Sequence, residues 1–326
     1  MSTLSTEQPT AADDLVIPLG TRADGTPIRI SQSRESNVSI FGGAGSGKSV
    51  LLSQIIRAVA RQGAAVIVAD AVGDPDLRKL APGLVQYSAG CDAALHRTVK
   101  YTLDELESRR RHPDEKWAPV LLVLHEVAGW LWDLDRKGTD ASAAAEVTLA
   151  RINRVAAMGR EYGVHLLTVG QLAAPEAMWG GRWKSNVSTT VALGPVDELN
   201  LRSLFLPREH ARVRALSSQI SRGARGWGIV QDVGGEVELF RTAYAPADGT
   251  EAMHAPKQQR FGWKFPTGDE EGSDGSWPTW TPVSNPSSDS LPVIPLGDPD
   301  AAVFDPTSKS FRPGTKPLSI VHTATN

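Results

Sequence analysis

Residues 37–63 read NVSIFGGAGSGKSVLLSQIIRAVARQG. Asn37 to Phe41 is a short apolar run of strand length. Gly42-Gly43-Ala44-Gly45-Ser46-Gly47-Lys48-Ser49 then fits G-x-x-x-x-G-K-[ST]. Beyond it Leu51, Leu52, Ile55, Ile56, Val59 and Ala60 recur at helical spacing, and Gly63 supplies a stop. A second apolar strand follows, AAVIVAD at 64–70. The order strand, glycine loop, helix, strand is one that binds phosphate. Several glycines let the backbone curl with its N–H groups pointing inward. The helix N-terminus adds partial positive charge at the same place. Lys48 can then reach the β- and γ-phosphates of a nucleotide, and the Ser49 hydroxyl can ligate Mg²⁺.

A hydrolase of this kind needs a second strand that ends in acid. PVLLVLHEVAGWLW, at 119–132, is the candidate. Val120 to Leu124 runs without alternation, which suits a central parallel strand covered on both faces. The usual ending is Asp-Glu: the Asp holds the metal's water shell and the Glu orients or deprotonates the attacking water. In this chain Glu126 stands where the base belongs, but His125 stands in place of the Asp. Imidazole is a poor partner for a hard ion that prefers oxygen, so Mg²⁺ affinity is expected to fall. Two readings are open. In one, Ser49 and the phosphates still hold the metal, His125 accepts a hydrogen bond from one of its waters, and hydrolysis continues, at reduced rate. In the other, hydrolysis is lost and nucleotide only holds an assembly together. On the first reading, His125→Asp is expected to raise turnover.

The chain has 326 residues, of which 40% are hydrophobic, enough for a substantial core. A single cysteine, Cys91, rules out a disulfide scaffold and a cysteine-based zinc site and fits a reducing cytosol. No stretch approaches the roughly 18 apolar residues of a membrane span. The opening MSTLSTEQPTAADD lacks the charged and apolar regions of a signal peptide. A cytoplasmic location is expected, with any membrane recruitment left to a partner. The net charge of −3 hides a division. Residues 14–247 carry 28 Lys+Arg against 25 Asp+Glu, whereas residues 248–326 carry 6 against 10. Eleven of the 22 prolines lie in that last segment, whose Ser, Gly and Asp content cannot offset the entropy of ordering. The expected organisation is a disordered N-arm at 1–13, a folded body at 14–247 and a mostly disordered acidic tail at 248–326. Trp263, Trp277 and Trp280 in the tail are candidates for docking on the body or on a partner, and VIPLG occurs at both 16–20 and 293–297.

The body resembles the FtsK/SpoIIIE DNA translocases and the related plasmid-transfer ATPases over roughly residues 15–245. IPLGTRADGTPIRI resembles the family's entry hairpin, FGGAGSGKSVLL its Walker A segment, and TVKYTLDELESRRR a later helix. LLVLHEVAGWL resembles Walker B, apart from His125. ARINRVAAMGREYGVHLLTVGQ is the most diagnostic match: a helix, Gly159-Arg160, a turn, Gly163-Val164-His165, and a strand ending in Gln171. SRGARGWGIVQDVGGEVELFRTAY resembles the closing strands.

The resemblance implies an α/β, RecA-like P-loop NTPase with a largely parallel central sheet flanked by helices. It implies ATP and Mg²⁺ as cofactors, a homohexameric ring, and double-stranded DNA as the non-specifically bound partner. It assigns Glu126 as catalytic base, Arg160 as an arginine finger acting on the neighbouring subunit, and Gln171 as a polar sensor. Lys184 and Arg202 match its DNA-backbone contacts, although Leu172 and Glu198 depart from the basic pattern around them. Arg202, Arg208, Arg212, Arg214, Arg222 and Arg225 against the single acid Glu209 form a basic stretch suited to phosphate. Asp70 matches a family Asp near the nucleotide, which leaves a supporting role beside the nucleotide and a helix or loop cap equally open, and Glu107, Arg109 and Arg110 are expected on an exposed helix or a subunit interface. The function so implied is a ring motor that translocates duplex DNA in transfer, segregation or packaging, recruited to a membrane or transfer complex through the tail. Two alternatives stay open: a protein-handling ATPase like the type VII secretion motors, and a degenerate nucleotide-binding scaffold.

Overall fold

The apolar runs of the sequence become the strands of one sheet, and the helical repeats cover it. The computed structural model describes residues 15–35, 37–81, 84–89, 92–113, 117–136, 139–171 and 186–242. The N-arm, the tail with its tryptophans and second VIPLG, and Lys184 lie outside the described residues. The chain opens with a hairpin, β1 (Val16–Thr21) and β2 (Pro27–Ser31). Then come β3 (Asn37–Gly42), α1 (Lys48–Arg61), β4 (Ala65–Asp70), α2 (Pro75–Leu80), β5 (Gln86–Ala89) and α3 (Asp92–Arg111). The remaining elements are β6 (Val120–His125), α4 (Val127–Asp135), α5 (Thr139–Met158), β7 (Val164–Gly170), β8 (Thr189–Leu193), α6 (Glu198–Leu204), α7 (His210–Ser217), β9 (Trp227–Gln231) and β10 (Val237–Arg241).

The ten strands lie in the order β2-β1-β10-β9-β8-β3-β7-β6-β4-β5. From β8 to β5 every neighbouring pair is parallel. From β8 to β2 every neighbouring pair is antiparallel. The largely parallel sheet read from the sequence is therefore a six-stranded parallel core with a four-stranded antiparallel flank. One strand, β7, separates the phosphate-loop strand β3 from the His125-Glu126 strand β6.

Strands β4, β6 and β7 are buried at every residue, which explains their unbroken apolar runs. Alternate residues serve opposite faces. Val66, Val68, Leu121, Val123, Leu167 and Val169 pack with Leu51, Leu52, Ile55, Ile56 and Val59 of α1. Ile67, Leu122, Leu124 and Leu166 pack on the other side with α3, α4 and α5. The five large α1 side chains have no exposed surface. Each contributes at most about 1.5–3 kcal/mol by burial, so α1 is pinned to the sheet that carries its loop. Because the core strands run the same way, Gly42, Asp70, His125, Gly170 and Leu193 end at one edge of the sheet. In open α/β sheets, ligands bind at that edge.

One expectation about α3 is corrected. Glu107 and Arg110 are partly exposed and paired with each other, as an exposed helix allows. Arg109 is fully buried. Its Nε donates to Glu105 at 2.8 Å, and its other nitrogens donate to the carbonyls of Tyr162 at 2.9 Å and Ala118 at 2.9 Å. The guanidinium also lies 5.5 Å from the centre of the Trp117 ring. Burial of a charge is tolerable when it is this fully paired. Arg109 thus binds α3 to the turn that enters β7.

Candidate nucleotide-binding site

The phosphate loop links the end of β3 to the start of α1. Gly47 takes φ 104°, a left-handed value that would strain a side-chain-bearing residue, and α1 starts directly after it. Lys48 Nζ folds back onto the loop and donates to the carbonyls of Gly42 at 2.7 Å and Gly43 at 3.1 Å. Burial pushes the Lys48 ammonium below the ordinary lysine range, and the negative charge of Glu126 opposes that shift. The outer side of the loop is open: a Cβ at Gly43 or Gly45 would meet nothing within 4 Å. The Ser46 hydroxyl is buried with no hydrogen-bond partner among the described residues. An ammonium satisfied only by carbonyls of its own loop, beside an open glycine wall, fits a polyphosphate. The loop is braced from outside by the turn before β9, where the Gly226 N–H donates to the Ser46 carbonyl at 2.9 Å.

Glu126 follows β6 with φ 55°, and it is the one residue other than glycine with positive φ among the described residues. Such a conformation costs about 1–3 kcal/mol and is kept where the surroundings enforce it. The enforcing contacts come from β7. The Glu126 N–H donates to the Val169 carbonyl at 2.7 Å, and its Oε2 accepts from the Gln171 N–H at 3.1 Å. The expected base and the expected sensor are therefore neighbours, on the same edge as Lys48.

His125 pairs laterally. Asp70 is its register partner on β4, and both lie on the α1 side of the sheet. His125 Nδ1 lies 2.9 Å from Asp70 Oδ1. That oxygen also accepts from the N–H groups of Val72 and Gly73, and Oδ2 accepts from the Asp74 N–H at 2.6 Å and the Tyr87 hydroxyl at 2.8 Å. Burial works to raise the Asp70 carboxyl, but its bonds to His125, Tyr87 and Asp74 hold it below the usual carboxylate range. Its stabilising contribution is thus present above the ordinary carboxylate pKa and is lost as pH falls through the lowered one. Asp70 thus caps the loop after β4, one of the two roles read for it.

This pairing reverses the expectation for His125→Asp. The new carboxylate would lie against Asp70 in a buried position, where two like charges cannot both ionise freely. Breaking a buried pair while leaving one charge uncompensated costs about 3–5 kcal/mol. We expect the variant to lose stability on that scale in chemical denaturation rather than to gain turnover.

Ser49 Oγ, the expected metal ligand, donates to Asp74 Oδ2 at 2.7 Å. Asp74 caps α2 through its other oxygen, which accepts from the Asp76 N–H at 2.8 Å. An oxygen-donor pair of hydroxyl and carboxylate suits Mg²⁺.

Arg160 lies elsewhere. It sits in the short turn Gly159–Tyr162 that precedes β7, whereas the phosphate loop is at the far end of that strand's neighbour β3. A seven-residue strand separates the two edges, about 20 Å. Arg160 is exposed and makes no ion pair among the described residues. Gly159 must be glycine, because a Cβ there would come within 2.0 Å of the Val164 carbonyl oxygen. Arg202 lies on α6, with a side chain 75% exposed and 3.9 Å from Glu198. Its basic stretch is less free than its composition implies. Arg214 makes a bidentate pair with Glu198 at 2.6 and 2.9 Å, and Arg208 donates to the Gly234 carbonyl. The stretch leaves the sheet after β8 and rejoins it at β9, both on the phosphate-loop edge.

Fold and loop together define the class: an α/β, RecA-like P-loop NTPase. Residues 23–75 match the family described as the Type IV secretion-system coupling protein DNA-binding domain. No curated protein matches the chain in sequence. Among solved structures the chain is similar to the pCW3 conjugation coupling protein TcpA, in its monomer form with ATPgS, at 18% identity and a TM-score of 0.59. That likeness covers 77% of this chain and 72% of TcpA. It is similar also to the cytoplasmic domain of the type VII secretion ATPase EccC of Thermomonospora curvata, at 18% identity and a TM-score of 0.54 over 73% of this chain. ATPases 2 and 3 of EssC from Geobacillus thermodenitrificans match at 16% identity, with a TM-score of 0.52 over 71% of this chain. The chain spans 29% of the EccC chain and 41% of the EssC chain. The fold is shared with TcpA, EccC and EssC, and the segment that holds the phosphate loop matches the coupling-protein DNA-binding-domain family, in keeping with the resemblance to plasmid-transfer ATPases.

Proposed function

We propose that the chain is an ATP-hydrolysing motor that translocates double-stranded DNA, working as a ring, in the manner of a plasmid-transfer coupling protein. The observation that carries this reading is the meeting of Lys48, Ser49, Glu126 and Gln171 at one sheet edge, within a chain whose phosphate-loop segment matches a coupling-protein DNA-binding domain. The loop amides and Lys48 hold the triphosphate. Glu126 takes a proton from, or orients, the attacking water, and Gln171 keeps that carboxylate in place. Mg²⁺, when bound beside Ser49, neutralises charge on the β- and γ-phosphates. Arg160 completes the site of the adjacent subunit. Lys184 and Arg202 touch the DNA backbone, with Arg222 and Arg225 as further exposed cations. The tail at 248–326 is the natural recruiter to a membrane or transfer complex. No helix among the described residues is long and apolar enough to cross a membrane.

The deciding measurement is ATP turnover with and without duplex DNA, for the native chain and for Lys48→Ala. We expect DNA to stimulate the native chain and Lys48→Ala to remain at background. Turnover indifferent to DNA would favour the protein-handling reading, to which the fold likeness to EccC and EssC gives some weight. Absence of turnover despite nucleotide binding would favour a scaffold. DNA affinity should fall with salt, since phosphate contacts release counterions. Arg202→Ala should weaken binding to all sequences alike and reduce the log–log salt slope by about 1.

A further inference from the structure

We propose that Asp74 replaces the carboxylate missing from the end of β6 and holds the divalent-cation side of the phosphate loop through Ser49. The inference rests on the nucleotide reading above. In P-loop sites the cation is held by the loop Ser or Thr together with an acid at a strand end. That strand end carries His125, whose Nδ1 is engaged by Asp70. Asp70 cannot take over. It is fully buried, and both of its oxygens are occupied by backbone N–H groups, Tyr87 and His125.

Asp74 is placed differently. It is partly exposed, and its two oxygens have separate duties. Oδ1 caps α2 by accepting from the Asp76 and Leu77 N–H groups. Oδ2 meets Ser49 Oγ at 2.7 Å. The Asp70 carboxylate fixes the Asp74 backbone by accepting its N–H, so the His125–Asp70 pair positions the acid that substitutes for it. The function expected at position 125 has in effect moved to the loop after the adjacent strand. A carboxylate and a hydroxyl suit a hard cation; an imidazole does not.

The separate duties make the idea testable, because Asn and Ser cap helices about as well as Asp. ATPγS binding to the full chain is measured by calorimetry in Mg²⁺ and in EDTA, with Mn²⁺ binding followed by electron paramagnetic resonance. In the native chain Mg²⁺ should tighten ATPγS binding. In Asp74→Asn and Asp74→Ser the tightening, and Mn²⁺ affinity with it, should fall about tenfold or more, while affinity in EDTA stays near native. Asp76→Asn, which removes an acid paired only to exposed Lys79, should change neither. The proposal is overturned if both Asp74 variants melt like the native chain and keep the full Mg²⁺ effect. It is equally overturned if affinity falls by the same factor in Mg²⁺ and EDTA, since Asp74 would then merely shape the loop. A native chain that binds no ATPγS in either condition would instead remove the nucleotide reading itself.

Discussion

Arg160→Ala is expected to lower DNA-stimulated ATP turnover by about 10³-fold or more, the scale of an arginine finger, while leaving nucleotide affinity nearly unchanged. The geometry makes the reason specific. Arg160 and Lys48 of one chain sit at opposite edges of the same sheet, separated by the length of β7. The guanidinium is out of reach of its own phosphate loop, so the proposed role requires a second copy of the chain. The turn that carries it is fixed: Gly159 lets the turn press against Val164, and Arg109 clamps the Tyr162 carbonyl from α3. A mixing experiment separates this role from simple damage. Lys48→Ala subunits retain Arg160, and Arg160→Ala subunits retain a working loop. Combined, they should recover part of the turnover that each lacks alone. An Arg160→Ala chain within a few-fold of native turnover would end the assignment. So would an inactive variant of native stability that mixing fails to rescue.

The parts of this site that were legible in the sequence are those written in consecutive residues. The loop from Gly42 to Ser49 is a motif whose chemistry dictates its spacing, and the unbroken apolar runs of β4 and β6 announced a parallel core. What pairing brings together was not legible. That Asp70 faces His125 is a matter of register between β4 and β6, and nothing local in either segment states it. The same holds for Asp74, which meets Ser49 only because α2 packs beside α1. A run of three arginines at a helix end usually faces water, so nothing local marks Arg109 as buried. Its burial depends on carbonyls of Tyr162 and Ala118, which are distant in sequence from it or on a separate segment. The basic charge of Arg202 to Arg225 is partly offset for a related reason: Glu198 lies just outside the stretch in sequence, yet neutralises Arg214 in space.

Glu126→Gln is expected to lower turnover by about 10²–10⁴-fold, the contribution of a positioned general base, while ATP still binds. The amide is nearly isosteric, and its side-chain oxygen can still accept the Gln171 N–H, so the left-handed backbone at Glu126 keeps its supports. What disappears is the basic oxygen and the negative charge. The charge has a second effect, on Lys48. Burial already lowers that ammonium's pKa, and Glu126 is the opposing influence. With the carboxylate neutralised, desolvation acts unopposed and the lysine loses its proton at lower pH than in the native chain. The alkaline limb of ATPγS affinity should therefore move to lower pH in Glu126→Gln, while affinity near neutrality is preserved. Single-turnover hydrolysis measures the first effect, and ATPγS titrations across an alkaline pH series measure the second. A variant that hydrolyses ATP at close to the native rate would show that another group activates the water. An unmoved alkaline limb would show that Glu126 lies too far from Lys48 for its charge to be felt.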